Sequence, residues 1–242
     1  MSDSLKRGSE VTIYYHFLSS RDAMTDLERK MIKVSRIVNL NDLFELRPYL
    51  LINRDKRSRL EKLRSQIAKT YGMVCFSSDW QEPLLWGHYA DRNRGIALGF
   101  EVISKRCAAS PVKYPAKRER DPFGDKEVIG EDEYISALGY KKYANWAYEK
   151  EHRFFIKLDD CVNIEGNYFL RFGSDLFLRS VILGPEHPYK NRNNYRKSAA
   201  YLARLVESFG ADILVTRAER KAYRIVRCGR WTPLFEELMK KL

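Results

Sequence analysis

The pattern of apolar and polar positions is most telling across residues 71–102, YGMVCFSSDWQEPLLWGHYADRNRGIALGFEV, where two apolar runs bracket a polar corner. Apolar runs at residues 73–76 and 96–100, bounded by Gly and turn formers, predict two buried strands. Residues 84–90 between them predict a helix of about two turns, opening at Pro83, which a first helical turn tolerates. Strand, polar corner, short helix, Gly95 and strand is an order that carries side chains over the end of a sheet. The corner and helix are dense in groups capable of chemistry: Ser77, Ser78, Trp80, Trp86, His88, Tyr89, Asp91 and Arg94.

Elsewhere the periodicity is plainer. Residues 12–17 predict an early strand carrying His16, and residues 22–33 a helix with Ala23, Leu27 and Met31 on one face. In residues 35–50, Asp42 and Glu45 have capping-box spacing, which favours a capped short helix. The other reading of that stretch is a corner lining a pocket with Asn41 and Glu45. Residues 54–69 predict a basic amphipathic helix with Leu60, Leu63 and Ile67 inward. Residues 113–130, rich in Pro, Gly and charge, read as a long loop insertion and a poor place for a core. A helix over 132–143 leads into an extended run over 153–158. The last third reads as a strand at 178–183, a helix at 195–209, strands at 212–216 and 222–227, and a closing helix at 232–242. No repeat or long linker divides the chain. The expectation is one α+β domain over residues 1–242, with a mixed, largely antiparallel sheet and flanking helices.

Charge adds a partner to this picture. Lys and Arg total 44 against 32 Asp and Glu, a net charge of +12. Between Lys190 and Arg230 eleven basic residues face three acidic ones. A field of that sign draws polyanions, so Arg192, Arg196, Lys197, Arg217, Arg220, Lys221 and Arg224 are candidate nucleic-acid contacts. A merely solvated basic face is the alternative. Cys75, Cys107, Cys161 and Cys228 lie far apart with no C-x-x-C pair, which argues against zinc. The opening MSDSLKRGSEV has no apolar signal core, and no run nears the ~18 apolar residues of a membrane helix. A cytoplasmic protein with reduced thiols and no membrane partner is expected.

The catalytic motifs that are missing narrow the choice. No phosphate loop, G-x-G-x-x-G, H-E-x-x-H or G-x-S-x-G occurs, and His88 with Asp91 lacks a third metal ligand. Glu149 and Glu151 stand at the mouth of the run over 153–158. Residues two apart on an extended chain point the same way, so these carboxylates would share a face and perturb each other's pKa. Surface ion pairing with Lys150 and Arg153 is the plainer account. His16 is either a satisfied core histidine or part of a site.

Three blocks together carry a resemblance: Asn41, Asp42, Phe44 and Glu45 as N-D-x-F-E; Cys75 to Phe100 as C-F-S, L-W-x-H-Y-A-D and G-I-A-L-G-F; and Trp146 to Arg153 as W-x-Y-E-K-E-x-R. They resemble a bacterial family that carries only an unknown-function label and recurs among phage-defence and mobile genes. Leu43 stands where that family usually has Pro.

The order of the blocks is also distantly similar to mono-ADP-ribosyltransferases. That likeness implies an ADP-ribosyltransferase-like fold with His16 at the first motif position, Ser77 or Tyr89 at the second, and Glu151, preceded by Glu149, at the third. It implies NAD as co-substrate and no metal. Glu151, Glu149 and Tyr89 would then be catalytic, and His16, Ser77, Trp86, His88, Asn41 and Glu45 would bind the NAD. Cleaving the ribose–nicotinamide bond builds positive charge on the ribose, as in glycoside cleavage, and a carboxylate opposes it. The implied protein is a toxin or anti-phage effector that modifies a nucleic acid, or secondly a protein, with an antitoxin or other defence protein as partner. A non-catalytic nucleic-acid-binding or ligand-sensing defence module is the other class.

Overall fold

The computed structural model describes residues 12–50, 53–103, 109–124, 126, 128–173, 175–190 and 192–229. Strand β1 (Ile13–Leu18) is followed by α1 (Ser20–Arg29), β2 (Met31–Arg36), α2 (Arg54–Thr70) and β3 (Tyr71–Ser77). Next come α3 (Pro83–Tyr89), β4 (Ile96–Val102), β5 (Ser110–Pro111), α4 (Glu131–Leu138) and β6 (Glu151–Lys157). The chain then runs through β7 (Val162–Ile164), β8 (Asn167–Arg171), β9 (Leu176–Leu183), α5 (Arg192–Glu207), β10 (Asp212–Ala218) and β11 (Ile225–Arg227).

These eleven strands make one sheet in the order β11-β10-β9-β4-β1-β3-β2-β8-β7, with β6 also paired to β3 and β5 paired to β6. β9 and β10, joined by α5, are parallel; the other strand pairs are antiparallel. The α+β class with a largely antiparallel sheet is therefore as the periodicity implied. No described helix is long and apolar enough to cross a membrane.

One strand explains where a site can form. β3 pairs with β6 along its whole length, from Tyr71–Lys157 to Ser77–Glu151. Its other edge is shared. β1 pairs there only at Tyr15–Ser77, and β2 only at Ser35–Met73 and Arg36–Gly72. Both strands run antiparallel to β3, so β1 peels away as β2 arrives, and the middle of that edge stays open. The fork is held by apolar packing on both faces of the sheet. On one, Leu27 of α1 and Leu202 and Val206 of α5 pack over Phe76, Phe100 and Phe154. On the other, Trp86 packs with Ala97, Ile182 and Ile225, while Ile67 of α2 and Tyr134 of α4 pack around Tyr71. Each such side chain contributes about 1.5–3 kcal/mol by leaving water, so the divergence of β1 and β2 is fixed by the core beneath it.

Several expectations need correcting. The helix read over residues 22–33 starts at Ser20, capped by Ser19, and stops at Lys30, whose left-handed backbone (φ 54°) closes it. Met31, which looked like a third helical turn, instead opens β2. The capping box in residues 35–50 does not form: Asp42 Oδ1 accepts from the Phe44 amide at 2.9 Å in a tight turn, and Glu45 turns inward. Residues 113–130 are not peripheral either. Phe123 is buried and stacks on Tyr134 with centroids 6.0 Å apart, and Lys113 bridges to Lys141. The closing helix over 232–242 and Cys107 lie outside the described residues. Gly95 is required sterically: a Cβ there would sit 2.1 Å from the Leu18 carbonyl oxygen.

Candidate active site

The fork opens into a cleft of about 390 Å³. β1 contributes His16, β2 contributes Lys33 and Ser35, and β3 contributes Cys75 and Ser77, with Tyr89 of α3 alongside. Asn41, Glu45, Lys142, Glu149 and Glu151 add further polar groups to the lining.

His16 is tied to the open edge of β3, where its Nδ1 lies 2.8 Å from the Cys75 carbonyl oxygen. The ring thus takes a ladder partner's place where β1 has peeled away. A carbonyl only accepts, so Nδ1 carries the proton and Nε2 is left as an acceptor. Burial lowers the His16 pKa, against the opposing pull of the Cys75 carbonyl, and the imidazole is neutral at neutral pH.

The acidic residues are joined in one buried network. Glu149 ends a short 3₁₀ helix (Ala144–Glu149), and Lys150, in the left-handed region at φ 44°, turns the chain into β6. That turn, rather than alternation along a strand, aims both carboxylates at Lys142. Lys142 Nζ donates to Glu149 Oε2 at 2.6 Å and lies 3.6 Å from Glu151 Oε2. Lys142 itself is fixed by its amide, which donates to the Lys113 carbonyl at 3.0 Å. The Tyr89 hydroxyl donates to Glu149 Oε1 at 2.6 Å and accepts from Asn41 Nδ2 at 3.2 Å. Arg153, fully buried, bridges Glu45 and Glu151 and donates to the Gly139 carbonyl at 3.0 Å. The Glu151 amide donates to the Tyr114 hydroxyl at 2.7 Å, and burial, with the Glu151 charge beside it, pushes the Cys75 thiol well up.

Environment separates the two central carboxyls. Burial raises the Glu149 pKa from its ordinary value, and Lys142 and Tyr89 only partly offset it. Burial would raise Glu151 too, but Arg153 and Lys142 outweigh it and keep its pKa below the ordinary value. Burial also raises Glu45 and, together with Glu149, pushes the Tyr89 hydroxyl well up. Divergent proton affinities in neighbouring carboxyls are the usual ground for assigning one a charge-bearing and the other a proton-accepting role. Three carboxylates face two cations, so the ionised cluster carries a net negative charge in a poorly solvated place.

Of the residues singled out from sequence, His16, Asn41, Glu45, Ser77, Tyr89, Glu149 and Glu151 line the cleft. Trp86 and His88 do not. The helical turn that points Tyr89 at Glu149 sends Trp86 into the core, where its Nε1 donates to the Trp80 carbonyl at 2.6 Å and its ring meets Phe17 edge-on. His88 is exposed on the other side, 6.2 Å from the Tyr148 ring. Ser77 Oγ is taken up in a turn, accepting from the Asp79 amide at 3.0 Å and donating to its carbonyl at 3.2 Å. Of the two candidates for the second motif position, Tyr89 is therefore the one bonded to the carboxylates. Glu151 does pair with Arg153, but inside the fold rather than at the surface, while Lys150 pairs with Asp79 at 2.8 Å. Lys142, Arg153 and Tyr114 went unmarked in the sequence as site residues. Nothing in the run YKKY distinguishes Lys142 from its neighbour.

The basic candidates lie elsewhere. Arg192 opens α5, Arg196 and Lys197 are exposed on it, and Arg217, Arg220, Lys221 and Arg224 are exposed along β10 and the corner after it. Arg196, Lys197, Arg217, Arg220, Lys221 and Arg224 do not line the cleft. Searches of protein-family models, curated proteins and solved structures find no match to this chain. What defines the protein is thus a mixed sheet, forked at one strand, with a buried carboxylate–cation network in the fork.

Proposed function

We propose that the cleft binds NAD and that the protein is an ADP-ribosyltransferase-like effector acting on a nucleic acid. The observation that carries this reading is the convergence of His16, Tyr89 and the pair Glu149 and Glu151 on one cleft from three separate parts of the chain. In the reaction, the bond from ribose C1′ to the nicotinamide nitrogen breaks and its electron pair leaves with nicotinamide. A nucleophilic oxygen or nitrogen of the acceptor bonds to C1′ and gives up its proton. Glu151, kept ionised, faces the cationic ribose. Glu149, whose proton affinity burial raises, is suited to take the acceptor's proton. The neutral His16 offers a hydrogen-bond acceptor to a ribose hydroxyl. The test is to incubate the protein with NAD labelled in the adenosine half and a bacterial lysate, then to follow nicotinamide release and label in RNA, DNA and protein. No release and no label would end the transferase reading.

A second reading has its own support. Both oxygens of Glu149 are already hydrogen-bonded, and Arg153 pairs with Glu151 and Glu45. A network so satisfied also suits a ligand-sensing module without catalysis, and NAD binding without nicotinamide release would select it.

A further inference from the structure

A second concavity, of about 280 Å³, adjoins the cleft and shares Lys142 with it. Its character differs from that of the cleft: among the described residues no carboxylate lines it, and five of the ten that do are Lys or Arg. Two aromatic residues on its wall, Phe44 and Tyr143, are each 46% exposed, so their rings are open to contact from solvent. The Arg118 guanidinium lies over the Phe44 ring, 4.8 Å from its centroid. Arg47 and Lys141 are engaged by Glu61 and Glu119, but Lys117 and Arg118 are exposed and make no ion pair with a carboxylate among the described residues.

We infer that this groove binds single-stranded nucleic acid, with bases stacked on Phe44 and Tyr143 and phosphates on Lys117 and Arg118. Exposed aromatic rings interleaved with basic side chains are what a single strand needs. Each base offers a flat face and each phosphate a charge, whereas a duplex hides its bases from such stacking. A peptide partner would need carboxylates to answer the basic rim and would gain little from ring faces set beside guanidinium. Lys142 places the groove directly against the carboxylate network, so the next nucleotide along a bound strand would be delivered to the cleft. That last step rests on the transferase reading; the binding itself does not.

The experiment therefore measures binding without NAD. Fluorescein-labelled single-stranded RNA and DNA oligonucleotides, and the corresponding duplexes, are titrated with wild-type protein, with Phe44→Ala/Tyr143→Ala, and with Lys117→Glu/Arg118→Glu. All four positions are at the surface, and thermal melting checks that each variant folds. The expected result is tight single-strand binding, weaker duplex binding, and a loss on the order of tenfold or more for each aromatic removed. The charge variant should flatten the dependence of affinity on salt by about two phosphates' worth. Arg220→Glu/Lys221→Glu, on the corner after β10, should retain the preference for single strands. The inference is overturned if wild-type protein binds no oligonucleotide at low salt, if duplexes bind equally well, or if the groove variants bind as wild type does. Nicotinamide release is measured in parallel. If it is absent while the groove binds single strands, the transferase reading fails and the groove stands.

Discussion

Lys142 donates to Glu149 at 2.6 Å with both side chains about 5% exposed, and the same ammonium lies 3.6 Å from Glu151. One cation thus serves two buried carboxylates. Burial lowers the Lys142 pKa, but Glu151 and Glu149 more than reverse this, so it stays charged. In Lys142→Met the two carboxylates face each other with Arg153 left as the cation bonded to the network, on the Glu151 side. Breaking a buried pair in this way should cost about 3–5 kcal/mol near neutral pH. In the variant the folded-state pKa of Glu149 rises further above its unfolded value. The added loss should therefore grow as pH rises from the carboxylate range and shrink as pH falls. Melting curves from pH 5 to pH 8 would show this. A variant as stable as wild type at pH 8 would mean that Lys142 contributes nothing to the network.

Asp26 gives a pH effect away from the cleft. It is 3% exposed on α1, and burial pushes its pKa up to about 7, although the Lys33 amide works against this. Because the folded-state pKa exceeds the unfolded one, the native state binds the proton more tightly. The stabilisation from that proton is complete below the unfolded pKa and is lost as pH rises toward 7. Asp26→Asn should consequently melt higher than wild type at pH 8, by at most about 4 kcal/mol, and the gap should close toward pH 5. An unchanged gap across that range would place the titration elsewhere.

The basic residues on α5 and the corner after β10 allow a test of long-range charge. Reversing Arg196, Lys197 and Arg220 to Glu should weaken polyanion binding at low salt. If about six phosphates are contacted in all, wild-type affinity should fall on the order of 10³-fold between 50 and 200 mM salt. Fluorescence anisotropy across that range would measure both. Salt-independent binding would remove the polyanion from the account.

How much of this was legible in the chain depends on the range of the interaction involved. β1, α2, β3, α3, β4, β6, β9 and α5 follow from local periodicity, and so does the α+β class. β2 was hidden because MIKVSR continues the helical spacing of α1, and only Lys30's left-handed turn separates them. The convergence of Glu149 and Glu151 was expected from alternation, but it arises from the turn at Lys150. Arg153 belongs to an alternating strand pattern that says nothing of Glu45, 108 residues away. The fork cannot be read from periodicity at all, since it results from β1 and β2 competing for one edge of β3. Trp86 and His88 were singled out by density of chemistry in the sequence, yet Trp86, three residues before Tyr89, is taken up by the core, and the 100° step from Tyr89 to His88 leaves the histidine facing solvent.

Glu151→Gln and Tyr89→Phe separate catalysis from architecture. Glu151 looked like a surface residue at a strand mouth, for which Gln would be harmless to the fold. It is instead 5% exposed and bound to Arg153. Gln keeps the shape but removes the charge that answers a fully buried guanidinium, so the variant should lose up to about 3–5 kcal/mol of stability. It should also lose turnover by roughly 10²–10³-fold if the charge faces a cationic ribose. A loss of both is ambiguous, and Tyr89→Phe resolves it. That change removes one hydroxyl from a half-buried ring and touches neither Arg153 nor Glu151, so it should cost no more than about 3 kcal/mol. Without the hydroxyl, Glu149 loses a donor that favours its ionised form, and its pKa rises further. If Glu149 must be deprotonated to accept the acceptor's proton, the acid limb of the pH–rate profile should move to higher pH. Turnover at high pH should approach that of wild type. NAD affinity at fixed pH should change little, because ground-state binding does not use that proton. A Tyr89→Phe profile that superimposes on wild type would remove Glu149 from the chemistry and leave the network a purely structural role.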